Sequence, residues 1–352
     1  TRYWRDWSSD VCSSDLLRSF YILIGLIVIS FNPNFADPFN VSKQIALYVA
    51  TSFLIYDLIK ERNFLRIILK RRFFYLLVFF FSSLLISSIT AQTKYIAFFG
   101  ENLRKNGFFT YACFIVILLY AILYFDLTQI RHLYSFFFVL NFIISGYGIL
   151  QILGYDFVNW SKSAGIIGTL GNSNFAGVVY AYFSIISLGS IFFYTALKQR
   201  LLCLFSFLLA SICLLATNAR QALLILIVGC FILSINLILK QNLKLKFLFF
   251  STSIIVGLLG LLGIFNSGPL ASILYKGSIS IRIYYWKAAL KMFFDHPLLG
   301  VGMDHYGFYF KQYRESKYPI LYGFDLTSTN AHNVYLQFFA TSGVIEIGRA
   351  HV

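Results

Sequence analysis

Three basic side chains stand out because their types and positions suit chemistry on an anion. Arg220 lies in the segment TNAR, Arg282 in SIRIYYWKAALKMFFDHPLLGVG, and His332 in TSTNAHNVYL. A guanidinium binds an oxyanion through two parallel hydrogen bonds, and a neutral imidazole accepts a proton near pH 7. If these side chains meet, the sequence predicts an anion-binding site with a proton acceptor beside it.

Each of the three residues also has a purely structural interpretation. An arginine at the end of a membrane helix often anchors that helix at the interface, which is the alternative for Arg220. A histidine at the start of a helix often caps it or packs against it, which is the alternative for His332. For Arg282 the alternative is a loop helix that lies along the membrane surface.

The segment around Arg282 is predicted to form an amphipathic helix. Ser280 is placed to act as the N-cap, so that Arg282 falls in the first turn, where the helix dipole disfavours a cation unless an anion lies nearby. Pro297 predicts that the helix stops near His296. Apolar residues recur at near-helical spacing along it, namely Ile283, Trp286, Leu290 and Phe293.

Several other residues are candidates for contact with the ligand. Asn172 and Asn174 lie in GIIGTLGNSNFAG, where they offer amide donors to a sugar or phosphate or simply cap the helix that begins near Phe175. Trp286 and Asn333 are also predicted to contact the substrate. His296 and His305 are weaker alternatives to His332, because both fall in sequence typical of turns.

Composition identifies the environment in which these residues act. The 352 residues are 59% hydrophobic and only 12% charged, which leaves too little polar surface to cover a soluble globule. The net charge of +15 is spread between apolar runs and forms no stripe, so it predicts membrane topology and not nucleic-acid binding. Four of the five cysteines lie inside apolar runs, and no spacing indicates a metal or disulfide framework.

Nine apolar runs predict an all-α, polytopic transmembrane bundle. A tenth run begins near Asn333, after a large polar loop over residues 266–331. Thirteen lysines and arginines lie in connections on the amino-terminal side, against six in short connections on the other side, which predicts a cytoplasmic amino terminus and an external loop. The nine runs are residues 17–31, 45–59, 73–89, 108–125, 133–153, 175–197, 201–216, 222–239 and 247–265.

Both ends of the chain look foreign to the bundle. Residues 1–16 and 346–352 resemble translated sequencing-adapter sequence, so they are excluded from the interpretation of the fold. The remaining sequence divides into a transmembrane bundle at 17–265, the loop at 266–331 and the start of a tenth membrane helix at 332–345. We expect the natural protein to continue beyond Ile345.

The ordered set of motifs resembles the O-antigen ligase and polymerase superfamily, often called the Wzy_C family. TNARQALL, the segment SIRIYYWKAALKMFFDHPLLGVGMDHYGF and AHNVYLQFFATSGVI carry the resemblance, and GTLGNSNFAG is similar to a further family feature. The motifs cover 165–345, while the earlier part resembles the family in topology only. The resemblance implies a GT-C-like fold of about twelve spans in the inner membrane of a bacterium.

The resemblance also implies a reaction. Such proteins are metal-independent, inverting glycosyltransferases without a cofactor, which move a glycan from undecaprenyl diphosphate to a hydroxyl of a glycolipid, a growing glycan or a protein. By motif, Arg220 and Arg282 match the family's functional arginines and His332 its functional histidine. The arginines would bind the diphosphate as it leaves, and His332 would orient or deprotonate the acceptor hydroxyl.

Other functions remain open at this stage. A ligase, a polysaccharide polymerase and a protein O-oligosaccharyltransferase share these motifs. A transporter or lipid flippase would also be polytopic and aromatic, although the sequence shows no repeated halves and its charges cluster at the ends of the spans. The later acids of the loop, Asp304, Glu315 and Asp325, form no DxD pair, so they are predicted to be solvated loop or capping residues.

Overall fold

The computed structural model describes residues 10–60, 72–125, 130–156, 165–264 and 277–343, together with the isolated positions 69, 158, 160, 267–269 and 271. Within these residues the protein is entirely helical, with fourteen α-helices, one short 3₁₀ helix and no strand. The all-α prediction is therefore confirmed. The ends at 1–9 and 344–352, most of the basic connection at 61–71 and the loop residues 272–276 lie outside the described part.

The helices follow the apolar runs of the sequence closely. Each of the nine predicted runs coincides with one helix, and a short helix lies between the third and fourth runs. The predicted loop contains three further helices, and the predicted tenth run contains one. The α-helices are α1 (Asp10–Ile29), α2 (Asn40–Lys60), α3 (Arg72–Thr90), α4 (Lys94–Phe99), α5 (Phe108–Tyr124), α6 (Ile130–Ile152), α7 (Ser173–Phe193), α8 (Leu197–Ala216), α9 (Arg220–Ile238), α10 (Leu243–Ile264), α11 (Gly277–Asp295), α12 (Tyr306–Tyr313), α13 (Lys317–Tyr322) and α14 (Val334–Ser342).

Five of the described helices are long and apolar enough to cross a membrane, namely α3, α6, α7, α8 and α10. Three shorter apolar helices or helix portions accompany them, at Leu17–Ile29, Phe108–Tyr124 and Arg220–Ile235. The protein is thus a polytopic helical membrane protein. The count of nine spans stays a prediction, as does the membrane role of α14, which has nine described residues.

The chain divides into two compact units. The first consists of Thr1–Lys43 and Tyr124–Tyr275, and the second of Gln44–Leu123 and Lys276–Val352. In the first unit, α6 to α9 share a core that includes Ile144, Tyr180, Ala210, Cys213 and Ala222. The predicted division into bundle and loop follows the sequence and is not tested by this grouping.

A buried polar network crosses the core of the first unit. Asn141 of α6 donates its amide to the carbonyl and hydroxyl oxygens of Ser206 of α8, at 3.0 and 2.7 Å. Ser187 of α7 and Ser145 of α6 complete the network through Ser206 and Asn141. Because water is scarce inside a membrane bundle, these bonds satisfy the polar groups only when α6, α7 and α8 keep one register.

In the second unit, helices α11 to α14 pack around buried aromatic rings. Tyr306, Phe310 and Tyr318 are fully buried there, and Met292 of α11 lies against the same cluster. The loop after α11 joins the end of α14 through two backbone bonds, from Val301 to Ala340 and from Gly302 to Thr341. These contacts fix the segment that leads into α14.

Candidate functional site

Arg220 is the first residue of α9, directly after a tight turn. Thr217 caps the end of α8, and Asn218 has a left-handed backbone with φ of 55°. The Thr217 hydroxyl donates to the carbonyl of Leu214 at 2.6 Å and accepts the amide of Ala219 at 3.3 Å. This turn leaves Arg220 exposed at the amino-terminal end of a helix.

The glycine-rich segment 165–177 packs against this turn within the first unit. The backbone amide of Ile166 donates to the carbonyl of Ala216 at 3.2 Å, and the Gln221 amide lies 3.5 Å from the carbonyl of Asn174. A side chain at Gly177 would meet Thr217 and Ala219 at 2.8 Å, so this glycine permits the close approach. The structure thus brings two of the predicted motifs together.

Asn172 has the capping role that was one of its two predicted interpretations. Its side-chain oxygen accepts the amide of Asn174 at 2.8 Å, and α7 begins at Ser173, two residues before the predicted start. Asn172 and Asn174 are both exposed. Their contact with a substrate stays a prediction.

In the second unit, the predicted start of the helix that carries Arg282 is wrong. Helix α11 already includes Gly277, so Ser280 lies inside the helix and is not its N-cap. Arg282 is half-buried and beyond the first turn, and the dipole of the helix therefore opposes its charge less than the sequence suggested. The predicted end is confirmed, because the helix stops at Asp295, just before His296.

The buried face of α11 also differs from the predicted apolar face. Tyr285, Ala288, Ala289 and Met292 are buried, whereas Ile283 and Leu290 are 44% and 39% exposed. Two alanines let the neighbouring helices approach closely, so packing selects this face over the larger aliphatic side chains. Trp286 is half-buried at its border, and its indole nitrogen is buried without a hydrogen-bond partner among the described residues.

His332 lies in a strained turn just before α14. Its backbone is left-handed, with φ of 51°, and its amide donates to the side-chain oxygen of Asn330 at 2.7 Å. Its ring stacks on Tyr285 of α11, with centroids 5.5 Å apart and planes inclined by 26°. Asn333 caps α14 by accepting the amide of Leu336 at 3.2 Å, so the helix start and the histidine are fixed together.

The environment of His332 favours its neutral form. His332 as a whole is exposed, but its ring is partly desolvated, and this desolvation lowers the pKa of the imidazole. The positive charges of Arg282 and Arg104 lower this pKa further. Arg282 thus lies within electrostatic reach of His332. The roles predicted for these two residues in binding and catalysis stay predictions. Arg104 was predicted only as a basic residue of a short external connection.

Asp304 is buried, so the prediction that it is a solvated loop or capping residue is wrong. Its side chain is 2% exposed and forms an ion pair with Arg104, Oδ1 to Nε at 3.5 Å. Its other oxygen accepts the backbone amides of Glu101 at 2.7 Å and Asn106 at 3.3 Å. Burial raises the pKa of Asp304 to about 6. The two backbone hydrogen bonds and the positive charge of Arg104 lower this pKa, but burial has the larger effect.

The other two histidines have different surroundings. His305 is fully buried, with Nδ1 at 2.7 Å from the carbonyl of Met303 and Nε2 accepting the amide of Thr93 at 3.3 Å. Burial lowers its pKa, so this ring is a neutral structural tie between two loops. His296 is exposed after the end of α11. In the described part of the second unit, neither His296 nor His305 forms a hydrogen bond with His332.

The remaining acids of the loop do not gather into a metal site within the described residues. Glu315 pairs with Lys287 at 3.0 Å, and Asp325 is exposed. No group of three or more histidines, cysteines, aspartates or glutamates is suited to hold a metal ion among the residues that the structure describes. The metal independence implied by the resemblance stays a prediction.

The length and apolar composition of the described helices indicate a multi-pass membrane protein. A model of the family described as O-Antigen ligase, Wzy_C, matches residues 205–345. The match confirms the resemblance over that part of the chain, which contains Arg220, Arg282 and His332. No curated protein and no solved structure matches the chain.

Proposed function

We propose that this protein is a membrane glycosyltransferase of the O-antigen ligase type. It transfers a glycan from undecaprenyl diphosphate to an acceptor hydroxyl at the outer face of the inner membrane. The observation that carries the proposal lies inside the region that matches the O-antigen ligase family: the ring of His332 stacks on Tyr285 of α11, the helix that also carries Arg282. An anion-binding group and a proton acceptor are the two groups that this transfer needs.

In the proposed reaction the acceptor oxygen attacks the anomeric carbon of the glycan. The bond from that carbon to the diphosphate oxygen breaks, and its electron pair stays on the diphosphate. His332 takes the proton of the hydroxyl, and the guanidinium of Arg282 stabilises the negative charge that grows on the leaving group. Attack from the face opposite the diphosphate inverts the anomeric configuration.

Arg220 is proposed as a second diphosphate-binding residue. It lies within the matched region, and it starts a helix whose amino-terminal amides and dipole favour a bound anion. Asn172 and Asn174 are proposed to contact the substrate from the segment packed on the same turn. Trp286 and Asn333 are proposed substrate contacts beside Arg282 and His332, and the indole nitrogen of Trp286 offers a donor.

Consumption of a lipid-linked oligosaccharide in proteoliposomes tests the proposal. The purified protein should consume the donor only when an acceptor is present and should release undecaprenyl diphosphate, whether or not EDTA is added. Translocation of intact donor without release of the diphosphate would instead identify a flippase. Separate acceptor arms, with a lipid A-core glycolipid, a second lipid-linked glycan and a protein, distinguish ligase from polymerase and from protein glycosylation.

The predicted topology has its own test. A reporter inserted at Tyr318 should read as external, and one inserted near the basic connection at 61–71 should read as cytoplasmic. A cytoplasmic reading at Tyr318 would place the proposed site on the wrong side of the membrane for a donor in the outer leaflet.

A further inference from the structure

The short loop between α4 and α5 carries a cation that the sequence motifs of the family region do not include. Arg104 lies outside residues 205–345, about two hundred positions before Asp304, with which it pairs. Its side chain is 19% exposed, so it is neither free in solvent nor closed off from it. The question is what this cation does beside Arg282 and His332.

Arg104 is held in place on two sides. Its Nε faces the Asp304 carboxylate at 3.5 Å, and its Nη1 donates to the carbonyl of Thr329 at 3.4 Å. Thr329 precedes His332 by three residues in the same connection. A guanidinium held by a carboxylate and a carbonyl loses little further freedom when it binds a ligand.

Asp304 also shapes the loop from which Arg104 projects. One of its oxygens accepts the amides of Glu101 and Asn106, which lie on either side of Arg104. The loop closes on itself through the amides of Arg104 and Lys105, which donate to the carbonyl of Glu101 at 3.0 and 2.8 Å. The carboxylate thus sets both the backbone and the charge of this arginine.

Two guanidiniums act on the imidazole of His332. The positive charges of Arg104 and Arg282 both lower its pKa, and the hydrogen bond from Arg104 to Thr329 ties one of them to the connection that carries the histidine. Guanidiniums bind the oxygens of a diphosphate through charge-assisted hydrogen bonds. A bound diphosphate would therefore interact favourably with both cations.

We propose that Arg104 is a further diphosphate-binding residue of the candidate site, held towards His332 by Asp304 as a positioning residue. The proposal rests on the proposed function for the identity of its anion, a diphosphate on a lipid carrier. It assigns a role in binding to a residue outside the matched family region. Arg104 supplies donors to the phosphate oxygens, and Asp304 acts only through Arg104.

The full-length protein tests this inference with inorganic pyrophosphate and with the lipid-linked donor. Arg104→Gln should weaken pyrophosphate binding, measured by calorimetry, by roughly tenfold or more, because a charge-assisted hydrogen bond is lost. Arg104→Lys keeps the positive charge but lacks the planar guanidinium. Its affinity for pyrophosphate should lie between that of the unsubstituted protein and that of Arg104→Gln. If Arg104→Gln is poorly folded, the lysine variant alone decides, since unchanged affinity in it would contradict the role of the guanidinium.

Arg314→Gln is the matched control. Arg314 donates from Nη1 to the carbonyls of Phe324 and Leu326 at 3.1 and 3.2 Å, and it is a structural arginine of the same unit. It should lower the unfolding temperature without changing pyrophosphate affinity. If Arg104→Gln shows this same pattern, Arg104 is structural and the proposal is wrong.

Asp304→Asn tests the positioning role separately. It should raise the KM for the lipid-linked donor several-fold while kcat stays close to that of the unsubstituted protein, because the reacting groups are intact. If Asp304→Asn leaves the KM unchanged while Arg104→Gln weakens binding, Asp304 is removed from the proposal.

The outcomes for the proposed function and for Arg104 can be told apart. If the unsubstituted protein binds pyrophosphate but transfers no glycan, the proposed function alone is contradicted. If the unsubstituted protein transfers glycan and Arg104→Gln binds pyrophosphate with normal affinity, the role of Arg104 alone is contradicted. No binding of pyrophosphate to the unsubstituted protein would overturn both roles proposed here.

Discussion

The ring of His332 stacks on the ring of Tyr285, with centroids 5.5 Å apart. Tyr285 is itself fixed, because the hydroxyl of Tyr306 donates to its backbone carbonyl at 2.8 Å. A histidine before α14 is thereby held against the same helix that carries Arg282, one turn earlier. This stack, and not a hydrogen bond, orients the imidazole in the described structure.

Replacement of His332 by asparagine should abolish transfer and leave donor binding almost unchanged. Asparagine tolerates the left-handed backbone of this position but cannot act as a base. Loss of a general base costs about 10²–10⁴-fold in rate. Turnover of lipid-linked donor and binding of undecaprenyl diphosphate should be measured on the same preparation. An equal loss of both would make His332 a positioning residue.

Replacement of Arg282 by lysine should remove most activity. A lysine is a point charge and cannot reproduce a bidentate contact with a diphosphate. Lys287→Arg is the matched control, because Lys287 lies on the same helix and pairs with Glu315 through an exposed side chain. The control should turn over donor normally. Near-normal transfer by Arg282→Lys would contradict the proposed role of the guanidinium.

The rate of transfer should depend on pH through His332. The pKa of His332 in the free protein is lowered from the ordinary value of 6.5, so its neutral form dominates above that pH. The acid limb of kcat/KM, which reports groups of the free enzyme, should therefore have its midpoint below pH 6.5. Below pH 6.5 the unfolded chain takes up this proton more readily than the folded protein, so the contribution of His332 to stability is lost as the pH falls. Arg104→Gln should move the limb to higher pH. A midpoint above 6.5 in the unsubstituted protein would contradict this environment.

Substitution of Gly300 by alanine should destabilise the second unit. Gly300 has φ of 66°, and an added Cβ would overlap the backbone nitrogen of Ser342 at the end of α14. Gly323→Ala is the matched control, since Gly323 has φ of 105° but no atom within 4 Å of the added carbon. The control carries the cost of a backbone conformation that side chains disfavour, about 1–3 kcal/mol, without the overlap. Unfolding temperatures in detergent should fall further for Gly300→Ala than for Gly323→Ala, and equal shifts would show that the close approach contributes nothing.

The fold was largely predictable from local sequence. Every long apolar run became a helix, because a backbone without water must bond within its own segment. The end of α11 was predictable from Pro297, and the caps at Asn172 and Asn333 follow from a side-chain oxygen beside the first free amides. These features depend on neighbours in the chain.

The features that the sequence did not predict depend on distant residues. Asp304 lies between a methionine and a histidine in glycine-rich sequence typical of a turn, yet its partners are Glu101, Arg104 and Asn106. No local pattern reveals such a pairing. The early start of α11 is similar, because glycine and serine are weak helix formers and the local sequence does not predict a helix that includes Gly277. Burial of α11 through its two alanines likewise reflects the partner helices.

The left-handed backbone of His332 narrows what can occupy that position even in a protein without activity. Glycine and asparagine tolerate such a backbone well, aspartate and histidine less readily, and β-branched residues poorly. The backbone alone would favour glycine or asparagine, so an unvarying histidine in a set of related sequences would need a chemical explanation. Exchanges to asparagine or glycine among homologues that still transfer glycan would show instead that selection preserves the conformation.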